Sequence, residues 1–429
     1  MVSMFKKFAG FFILVILLAG ACAGSQIYEL GNLEYENLGL TPGPTAEHIN
    51  FNWLSNAQEN KVSLVRLYNE NGELLMTAIG EASPAFSGAM THRVSVEGLE
   101  PNTEYSYSIS SDGISWSTRY NFRTANTERF RFAAVADPQL TTGRMASYSE
   151  WFSQDGTTAQ AWKDTVSKIA AENVDLIVGL GDQVDQTKRG NMLEYLDLFA
   201  PIELRSIPFA PIVGNHDRHY LFQYHFNLPN EQQFDIPFGI TRSMEIRTLE
   251  AAGNYWFLYN NALFVVLNNS AYPVSTRDAR RYIDRFDQTL AAAVNAHRGN
   301  FTWLFVMHHK STTVHARHIM SRDRLRYVNA GFEELMDKYN VDIVLSGHYH
   351  IYNRGFSRGT TYLTLNTAAG SKYYDSPSPK NLSPYTQVNI QARKPQFTII
   401  EVEDRTIHFR TYNIDSDVPI DAFTVEKRE

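Results

Sequence analysis

Five short polar segments carry the side chains that could bind metal ions. They are Asp137-Pro138-Gln139, Gly181-Asp182-Gln183-Val184-Asp185, Gly214-Asn215-His216-Asp217, His308-His309 and Gly347-His348-Tyr349-His350. Their carboxylate and amide oxygens and imidazole nitrogens form a mixed donor set. Such a set suits two borderline-to-hard divalent ions better than one closed structural zinc. The residue types therefore predict a two-metal centre.

An apolar run of the kind found in buried strands precedes each polar segment. These runs are Phe130–Ala136, Leu176–Leu180, Ile207–Val213, Leu304–Met307 and Val341–Ser346. A strand that ends in a polar loop delivers its last side chains to one edge of the sheet. In open α/β sheets, ligands bind at the edge formed by the carboxyl ends of the strands. The five segments are therefore predicted to meet there.

The order and spacing of these segments resemble the calcineurin-like metallophosphoesterases, and more narrowly their purple-acid-phosphatase-like branch. The family series is D-x-H, G-D-x-x-D, G-N-H-D/E, an isolated His after a strand, and G-H-x-H, and four of the five segments match it as they stand. The resemblance implies an α/β fold, a four-layer α/β/β/α sandwich, over residues 129–415. Helical periodicity between the strands fits this fold and occurs at Gln160–Glu172, Asp284–Arg298 and Leu325–Tyr339.

The family also implies the chemistry. Phosphate esters of small phosphorylated substrates would be hydrolysed by a hydroxide bridging two divalent ions, which could be Mn, Fe, Zn or Mg. Phosphomonoesters are the favoured substrates, and phosphodiesterase or nucleotide pyrophosphatase activity at the same site is the alternative. A further alternative, from another class, is a catalytically dead surface binding protein that keeps the fold.

The resemblance assigns a role to each metal-binding residue. The expected ligands of the first metal are Asp137, Asp182 and His350. The expected ligands of the second metal are the bridging Asp182, Asn215, His308 and His348. His308 is preferred over His309 because it follows the apolar run directly.

Gln139 departs from the family pattern, which has His at this position. Its neutral amide oxygen could coordinate the first metal and shift the preference of that site toward Mn, Mg or Fe(II). Alternatively, Gln139 hydrogen-bonds a metal-bound water. Asp185 stands where purple acid phosphatases have a Tyr, so the Fe(III)–tyrosinate chromophore cannot form by that route. Asp185 is instead expected to orient a ligand or to turn the loop.

Three histidines are expected to act on the substrate. His216 would donate a proton or a hydrogen bond to the leaving oxygen, because imidazole titrates near neutral pH. His315 and His318 are candidate substrate contacts on a loop rich in His and Arg, and they tilt the prediction toward monoesters. An ordinary solvated loop would explain the same composition.

The amino terminus resembles a bacterial lipoprotein signal over residues 1–22. Lys6 and Lys7 precede an apolar stretch, and Cys22 is the only cysteine of the 429 residues. The small residues Ala19-Gly20-Ala21 stand before it, although Ala19 occupies a place where Leu is usual. Lipidation of Cys22 would hold the protein at the membrane of the cell envelope, facing the periplasm or the cell surface. Cleavage after a nearby Ala and an uncleaved anchor are the alternatives.

Residues 28–126 have the texture of an all-β sandwich, with short alternating runs such as His48–Trp53 separated by turn signals. The stretch Val96–Tyr107 resembles fibronectin type III domains, in which a Leu-x-Pro turn precedes a buried tyrosine, here Tyr105 or Tyr107. Such a domain could be a spacer, a packing partner or a wall of the substrate site. The net charge of −7 argues against a nucleic-acid partner.

Overall fold

The computed structural model describes residues 36–428 except 57–60, 86–87, 127, 142–157, 186–190, 218, 235–252, 271–272, 274, 314–321 and 377–381. Cys22, His315 and His318 lie outside the described residues, so the lipidation and substrate contacts assigned to them stay predictions. Among the residues that are described, no helix combines the length and the apolarity needed to cross a membrane.

The amino-terminal part of the described chain is an all-β sandwich, as predicted. Its strands are β1 (Glu36–Pro42), β2 (Ile49–Asn56), β3 (Ser63–Tyr68), β4 (Leu74–Pro84), β5 (Ala89–Val96), β6 (Glu104–Ser110) and β7 (Tyr120–Arg123). They pair antiparallel in the order β1-β2-β5-β4-β3-β6-β7. The first part of β4 pairs with β3 and its last part pairs with β5, so β4 joins the two halves of the sandwich.

Strand alternation directs the apolar side chains of this domain inward. Phe51 and Trp53 on β2 are fully buried and share a core with Tyr107. The Tyr105 hydroxyl accepts a hydrogen bond from the backbone N–H of Glu100 at 2.9 Å, which is the bond expected of a tyrosine corner. Tyr105 therefore forms the corner, while Tyr107 fills the core.

The second domain contains two mixed sheets. Its strands are β8 (Phe130–Val135), β9 (Leu176–Gly179), β10 (Phe209–Pro211), β11 (Tyr255–Tyr259), β12 (Ala262–Val266), β13 (Trp303–Lys310), β14 (Ile343–Gly347), β15 (Tyr352–Ser357), β16 (Thr360–Thr364), β17 (Thr386–Ile390), β18 (Gln396–Val402), β19 (Thr406–Asn413) and β20 (Asp421–Glu426). One sheet has the order β10-β9-β8-β18-β19-β20 and the other has the order β11-β12-β13-β14-β16-β15-β17. The neighbours β8, β9 and β10 run parallel, as do β12, β13, β14 and β16.

Helices cover the outer faces of both sheets. The described helices are α1 (Thr158–Ala171), α2 (Asn191–Leu198), α3 (His219–His225), α4 (Thr276–Ala296), α5 (Arg322–Asn329), α6 (Phe332–Lys338) and a 3-10 helix (Ile202–Arg205). Phe132 and Phe305 face the core between the sheets. Their strand neighbours point outward, Ala133 toward α1 and Val306 toward α4 and α6. This confirms the α/β/β/α sandwich.

Helix α4 shows how the sequence produces one of these layers. The Ser275 side chain accepts a hydrogen bond from the N–H of Asp278 and caps the helix start. The apolar positions then follow at spacings of three and four, so they lie on one face, and that face is buried. They are Ala279, Tyr282, Phe286, Leu290 and Ala293.

Two predicted boundaries differ from the structure. The single helix predicted over Leu325–Tyr339 is two helices, α5 and α6, because Gly331 between them has φ = 102°, which ends the helical path. The catalytic region predicted to end at residue 415 continues to β20, which pairs antiparallel with β19 at the edge of the first sheet.

Candidate metal centre

The polar segments meet where the two sheets adjoin, at the carboxyl ends of β8, β9, β13 and β14. Backbone hydrogen bonds join the first two loops: the N–H of Asp137 donates to Gly181 at 3.1 Å, and that of Gln139 donates to Asp182 at 2.9 Å. Glycine is required for this close approach. A Cβ on Gly181 would lie 2.4 Å from the His309 ring, and a Cβ on Gly214 would lie 2.0 Å from the Asp182 nitrogen.

Asp182, His309 and His348 form the tightest cluster of donors. One ligand atom from each lies within 4.8 Å of the others. The Nε2 of His309 is 3.2 Å from the Asp182 Oδ2, 3.1 Å from the Asn215 Oδ1 and 3.2 Å from the His348 Nδ1. The His309 Nδ1 lies 2.8 Å from the carbonyl oxygen of Leu180, to which it donates, so Nε2 is the ring nitrogen that could bind a metal once its proton is lost.

The preference for His308 as the ligand is wrong in this structure. The His308 ring packs against Phe332 on the helix side of the sheet, with the ring centroids 4.9 Å apart. Its Nδ1 lies 3.1 Å from the side-chain nitrogen of Asn269, and its buried Nε2 has no hydrogen-bond partner among the described residues. The sequence shows that a histidine follows the strand, but strand geometry decides which of the two enters the site.

Asp137 and His350 form a second donor group beside Asp182. The His350 Nε2 lies 3.5 Å from the Asp137 Oδ1, and the His350 Nδ1 lies 2.8 Å from the carbonyl oxygen of Lys372, to which it donates. The Asp137 Oδ2 accepts the N–H of His348 at 2.7 Å, while the buried Oδ1 has no hydrogen-bond partner in the described part of the chain. A buried carboxylate oxygen without a donor is an atom that a bound cation would satisfy.

Gln139 is oriented as a hydrogen-bond donor to the centre. Its Nε2 donates to the Asp182 Oδ2 at 3.1 Å, and its Oε1 accepts from the Ser371 hydroxyl at 3.1 Å. In this orientation the amide oxygen points away from the metal-binding atoms. Of the two roles predicted for Gln139, this geometry favours an outer position, with the amide holding the carboxylate of Asp182.

His216 and Asp185 lie together at the edge of the cluster. The His216 N–H donates to the Asp182 Oδ1 at 2.7 Å, and its Nδ1 is 2.6 Å from the carbonyl oxygen of Asp185 and 3.3 Å from its Oδ1. The His216 Nε2 is 4.0 Å from the Asp182 Oδ2, and its side chain is 27% exposed. Asp185 therefore orients His216 through Nδ1, and the other ring nitrogen, Nε2, lies on the Asp182 side.

Burial and neighbouring charges shift the pKa values of the acidic and imidazole groups in this centre. Burial is the largest influence on the pKa of Asp137 and raises it to about 8, with the Asp182 charge acting in the same direction and the His309 charge opposing both. Burial opposes the charged form of His309, but the carboxylates of Asp182 and Asp137 more than offset it and raise its pKa to about 9. Burial lowers the pKa values of His348 and His350. Metal ligands must be deprotonated, so divalent cations bound here would take the place of the protons on Asp137 and His309, and carboxylates with imidazoles are donors that suit such ions.

Two buried residues outside the predicted set hold the ligand loops. The Asp217 carboxylate accepts backbone N–H bonds from Gly214 at 2.8 Å and from Gln183 at 3.0 Å. The Asn269 Oδ1 accepts from the N–H of His309 at 3.1 Å, and its Nδ2 donates to the carbonyl oxygen of Lys310 at 2.8 Å. Asn269 follows an apolar strand in the same way as the ligand segments, so the same sequence pattern could have found it.

Comparison with known proteins agrees with this site. The family model for calcineurin-like phosphoesterases matches residues 130–352, more than half of the chain. The chain belongs to this family. This phosphoesterase is therefore a hydrolase of phosphoric esters, in a family that depends on two metal ions, for which the cluster around Asp182 supplies the donors. A model described as the purple acid phosphatase N-terminal domain matches residues 35–124.

Two solved structures are similar to this chain. The purple acid phosphatase PPD1 from yellow lupin (Lupinus luteus) seeds is similar at a TM-score of 0.67 and 16% identity, covering 91% of this chain and 74% of the lupin chain. A dimetal phosphatase from Danio rerio is similar at a TM-score of 0.44 and 14% identity, covering 70% of this chain and 99% of the fish protein. The lupin structure shows that the fold likeness extends through both domains of this phosphoesterase.

Proposed function

We propose that this phosphoesterase hydrolyses phosphate monoesters at a dinuclear centre. The convergence of buried donors around Asp182, together with the unpartnered Oδ1 of Asp137, carries this proposal. Asp137, Asp182 and His350 would hold the first ion. Asp182 would be shared with the second ion, which is held also by the group Asn215, His309 and His348.

The roles proposed for the site residues follow from where each side chain lies relative to the metal ligands. When bound, the two ions would supply a water of lowered pKa and positive charge for the phosphate oxygens. His216 lies outside the ligand group and is held by Asp185 through Nδ1, so the Nε2 of this partly exposed side chain is left to protonate the leaving oxygen. Gln139 and Asp217 keep their hydrogen bonds to Asp182 and to the loop backbone, and so hold the ligands in place.

The preference for monoesters rests on fixed positive charge near the centre. Burial and then the charge of Lys372 lower the pKa of His350, and the ammonium of Lys310 contributes in the same direction at His348 after burial and His309. Two lysines close enough to act on the imidazoles would attract the dianion of a monoester more strongly than the monoanion of a diester. His315 and His318 would add to this effect.

A substrate panel tests the proposal. With Mn, Zn, Fe or Mg added singly, kcat/KM is measured for nitrophenyl phosphate, bis-nitrophenyl phosphate and a nucleoside monophosphate. We expect the monoester to exceed the diester by at least about tenfold, which corresponds to ~1.4 kcal/mol of transition-state stabilisation. A diester preference would overturn the proposed substrate class, and no hydrolysis with any metal would overturn the activity.

We also propose that residues 1–22 are a lipoprotein signal that is cleaved before Cys22, so that the mature protein begins at Cys22, which then carries the lipid that holds it at the bacterial cell envelope. The support is the lone cysteine after small residues and a short apolar stretch. Wild-type protein expressed in a Gram-negative host should partition into detergent and incorporate labelled palmitate. Cys22→Ser protein that still carries the label would contradict the proposal.

A further inference from the structure

The end of helix α3 is bonded to side chains of the amino-terminal domain. The Tyr224 carbonyl oxygen accepts from the Thr91 hydroxyl at 2.8 Å and from the Asn52 Nδ2 at 3.1 Å. The Asn227 carbonyl oxygen accepts from the Thr41 hydroxyl at 2.5 Å and from the Asn50 Nδ2 at 3.0 Å. The donors come from three adjacent strands, β1, β2 and β5.

These bonds satisfy carbonyl groups for which the helix itself has no donors. The last carbonyl groups of any helix lack intrahelical donors. Helix α3 spans only seven residues, His219–His225, a length that is unstable in isolation. Arg93 also donates to the carbonyl oxygen of Gln223, so the amino-terminal domain serves two of the last helical carbonyls. The sandwich therefore provides the C-terminal cap of α3.

The donors are buried, which distinguishes this interface from a loose contact between domains. Asn50 is 2% exposed, Asn52 1% and Thr91 1%. Leu54 of β2 joins the same apolar core as Phe222 and Phe226, which flank the capped carbonyls. Polar and apolar contacts together thus hold α3 against the sandwich.

Helix α3 begins at His219, two positions along the chain from Asp217 and close in sequence to Asn215 and His216. Asp217 is the last residue of the polar segment that carries Asn215 and His216. Its carboxylate accepts hydrogen bonds from the backbone N–H of Gly214 on the same loop and from that of Gln183 on the neighbouring loop. A displacement of α3 would therefore move Asn215 and His216, because only a few residues separate them from the helix. The amino-terminal domain contacts the opposite, carboxyl-terminal end of α3.

We infer that the amino-terminal domain positions Asn215 and His216 through α3, and that Asn52 and Thr91 are positioning residues for the reaction. The inference rests on the proposed function for the role of His216. It assigns the sandwich a part in the catalytic step, where sequence alone leaves spacer, packing partner and substrate wall open.

The test replaces the donors with side chains of similar shape. Asn52→Leu/Thr91→Val removes both donors to Tyr224. The matched control is Asn121→Leu/Thr77→Val, which makes the same changes at exposed positions of the same domain. Thr91→Val alone is the milder variant should the double variant fold poorly. Thr91→Ser in the Asn52→Leu background restores a hydroxyl donor.

Three measurements are made on the full chain: amide hydrogen exchange of residues 213–227, the ratio of kcat for an alkyl monoester to kcat for nitrophenyl phosphate, and Mn²⁺ affinity. We expect faster exchange, and an alkyl-to-aryl ratio reduced roughly tenfold, the effect of losing one to two net hydrogen bonds. The control should match wild type, and Thr91→Ser should recover most of the ratio. In a His216→Ala background the donor changes should reduce the ratio no further.

Unchanged exchange at 213–217 would overturn the inference, as would an equal fall of both rates at a constant ratio. Should His216→Ala leave the ratio at the wild-type value, the proposed role of His216 fails by itself. The inference is then decided by the Mn²⁺ affinity of the Asn215 site in the same variants: a loss reversed by Thr91→Ser supports it, and no loss overturns it.

Discussion

The adjacent histidines His308 and His309 allow a matched test of the metal centre. The same substitution at neighbouring positions removes either a ligand or a core side chain. His309 faces Asp182, Asn215 and His348 at 3.1–3.2 Å, whereas His308 packs on Phe332. We predict that His309→Ala loses metal at the second site and that His308→Ala keeps it.

The size of the His309 effect follows from the number of ligands. A closed four-ligand zinc site in a small domain is worth about 10–16 kcal/mol, or ~2.5–4 kcal/mol for each ligand. Loss of one ligand of four should weaken binding at the second site by roughly 10²–10³-fold. His309 is buried, so the Ala variant leaves a space that a water could fill without restoring the full donor strength.

The size of the His308 effect follows from packing. Truncation of a large buried side chain costs about 2–4 kcal/mol of folding free energy. His308 also brings a buried Nε2 with no partner among the described residues, and loss of that atom offsets part of the cost. His308→Ala should therefore lower the unfolding temperature by several degrees and leave metal affinity within about threefold of wild type.

Calorimetric titration with Mn²⁺ and Zn²⁺, metal content after dialysis, and thermal unfolding with and without chelator separate the two variants. A metal that binds only the native state stabilises it, so chelator lowers the unfolding temperature of wild type. His308→Ala should retain most of this chelator effect, and His309→Ala should lose much of it. Equal metal loss in both variants, or loss in His308→Ala alone, would refute the assignment.

Three further predictions concern Gln139, His216 and His92. Gln139→His replaces an amide that donates to Asp182 with an imidazole that can bind metal, so Zn²⁺ affinity of the first site should rise by about tenfold or more in calorimetric titration; unchanged affinity would show that the position cannot reach the metal. His216→Ala should keep both metals and lose roughly 10²–10⁴-fold in kcat on an alkyl monoester, with a much smaller loss on nitrophenyl phosphate, whose leaving group needs no proton. Burial and then the Lys61 charge lower the pKa of His92 to about 4, so between pH 6.5 and 4 only the unfolded chain takes up this proton and the free energy of unfolding falls as pH falls. His92→Leu should remove about 2 kcal/mol of that pH dependence in urea titrations at pH 4.5 and 6.5, and an unchanged slope would contradict the role of His92.

The sequence pattern does not determine which of His308 and His309 faces the metal centre. Strand β13 is buried along its whole length, so its sequence is apolar on both faces and carries no alternation. In the structure Phe305 and Met307 face the core between the sheets, and His309 continues their face. Leu304 and Val306 face the helices, and His308 continues theirs. Only the packing of the layers distinguishes the two faces.

The orientation of Gln139 depends on a residue that is distant in sequence. Ser371 lies 232 positions further along the chain, and its hydroxyl occupies the amide oxygen of Gln139. No local pattern indicates this pairing. By contrast, the order of the ligand segments and the strands before them is local information, which is why the α/β/β/α sandwich and the edge that bears the site could be predicted.

The regular alternation of polar and apolar residues on β2 does not reveal the interface between the domains. Asn50 and Asn52 alternate with apolar residues on β2, a pattern that predicts a strand with one face in solvent. The structure buries both side chains, Asn52 against the last turn of α3 and Asn50 against the segment after it. Uncharged asparagine, in place of lysine or glutamate, is the one sequence signal that this face is covered.

Several residues of the metal centre have a strained backbone conformation. Five site residues have positive φ, a conformation that costs about 1–3 kcal/mol in residues other than glycine. They are Asp137, Gln139, Asp182, His348 and His350, with φ between 42° and 73°. The bonds that hold these turns run between loops: Asp137 accepts from the His348 backbone, and Asp182 accepts from the His216 backbone. Because each strained turn is held by its neighbour, the ligand loops of both metals should open together rather than one at a time.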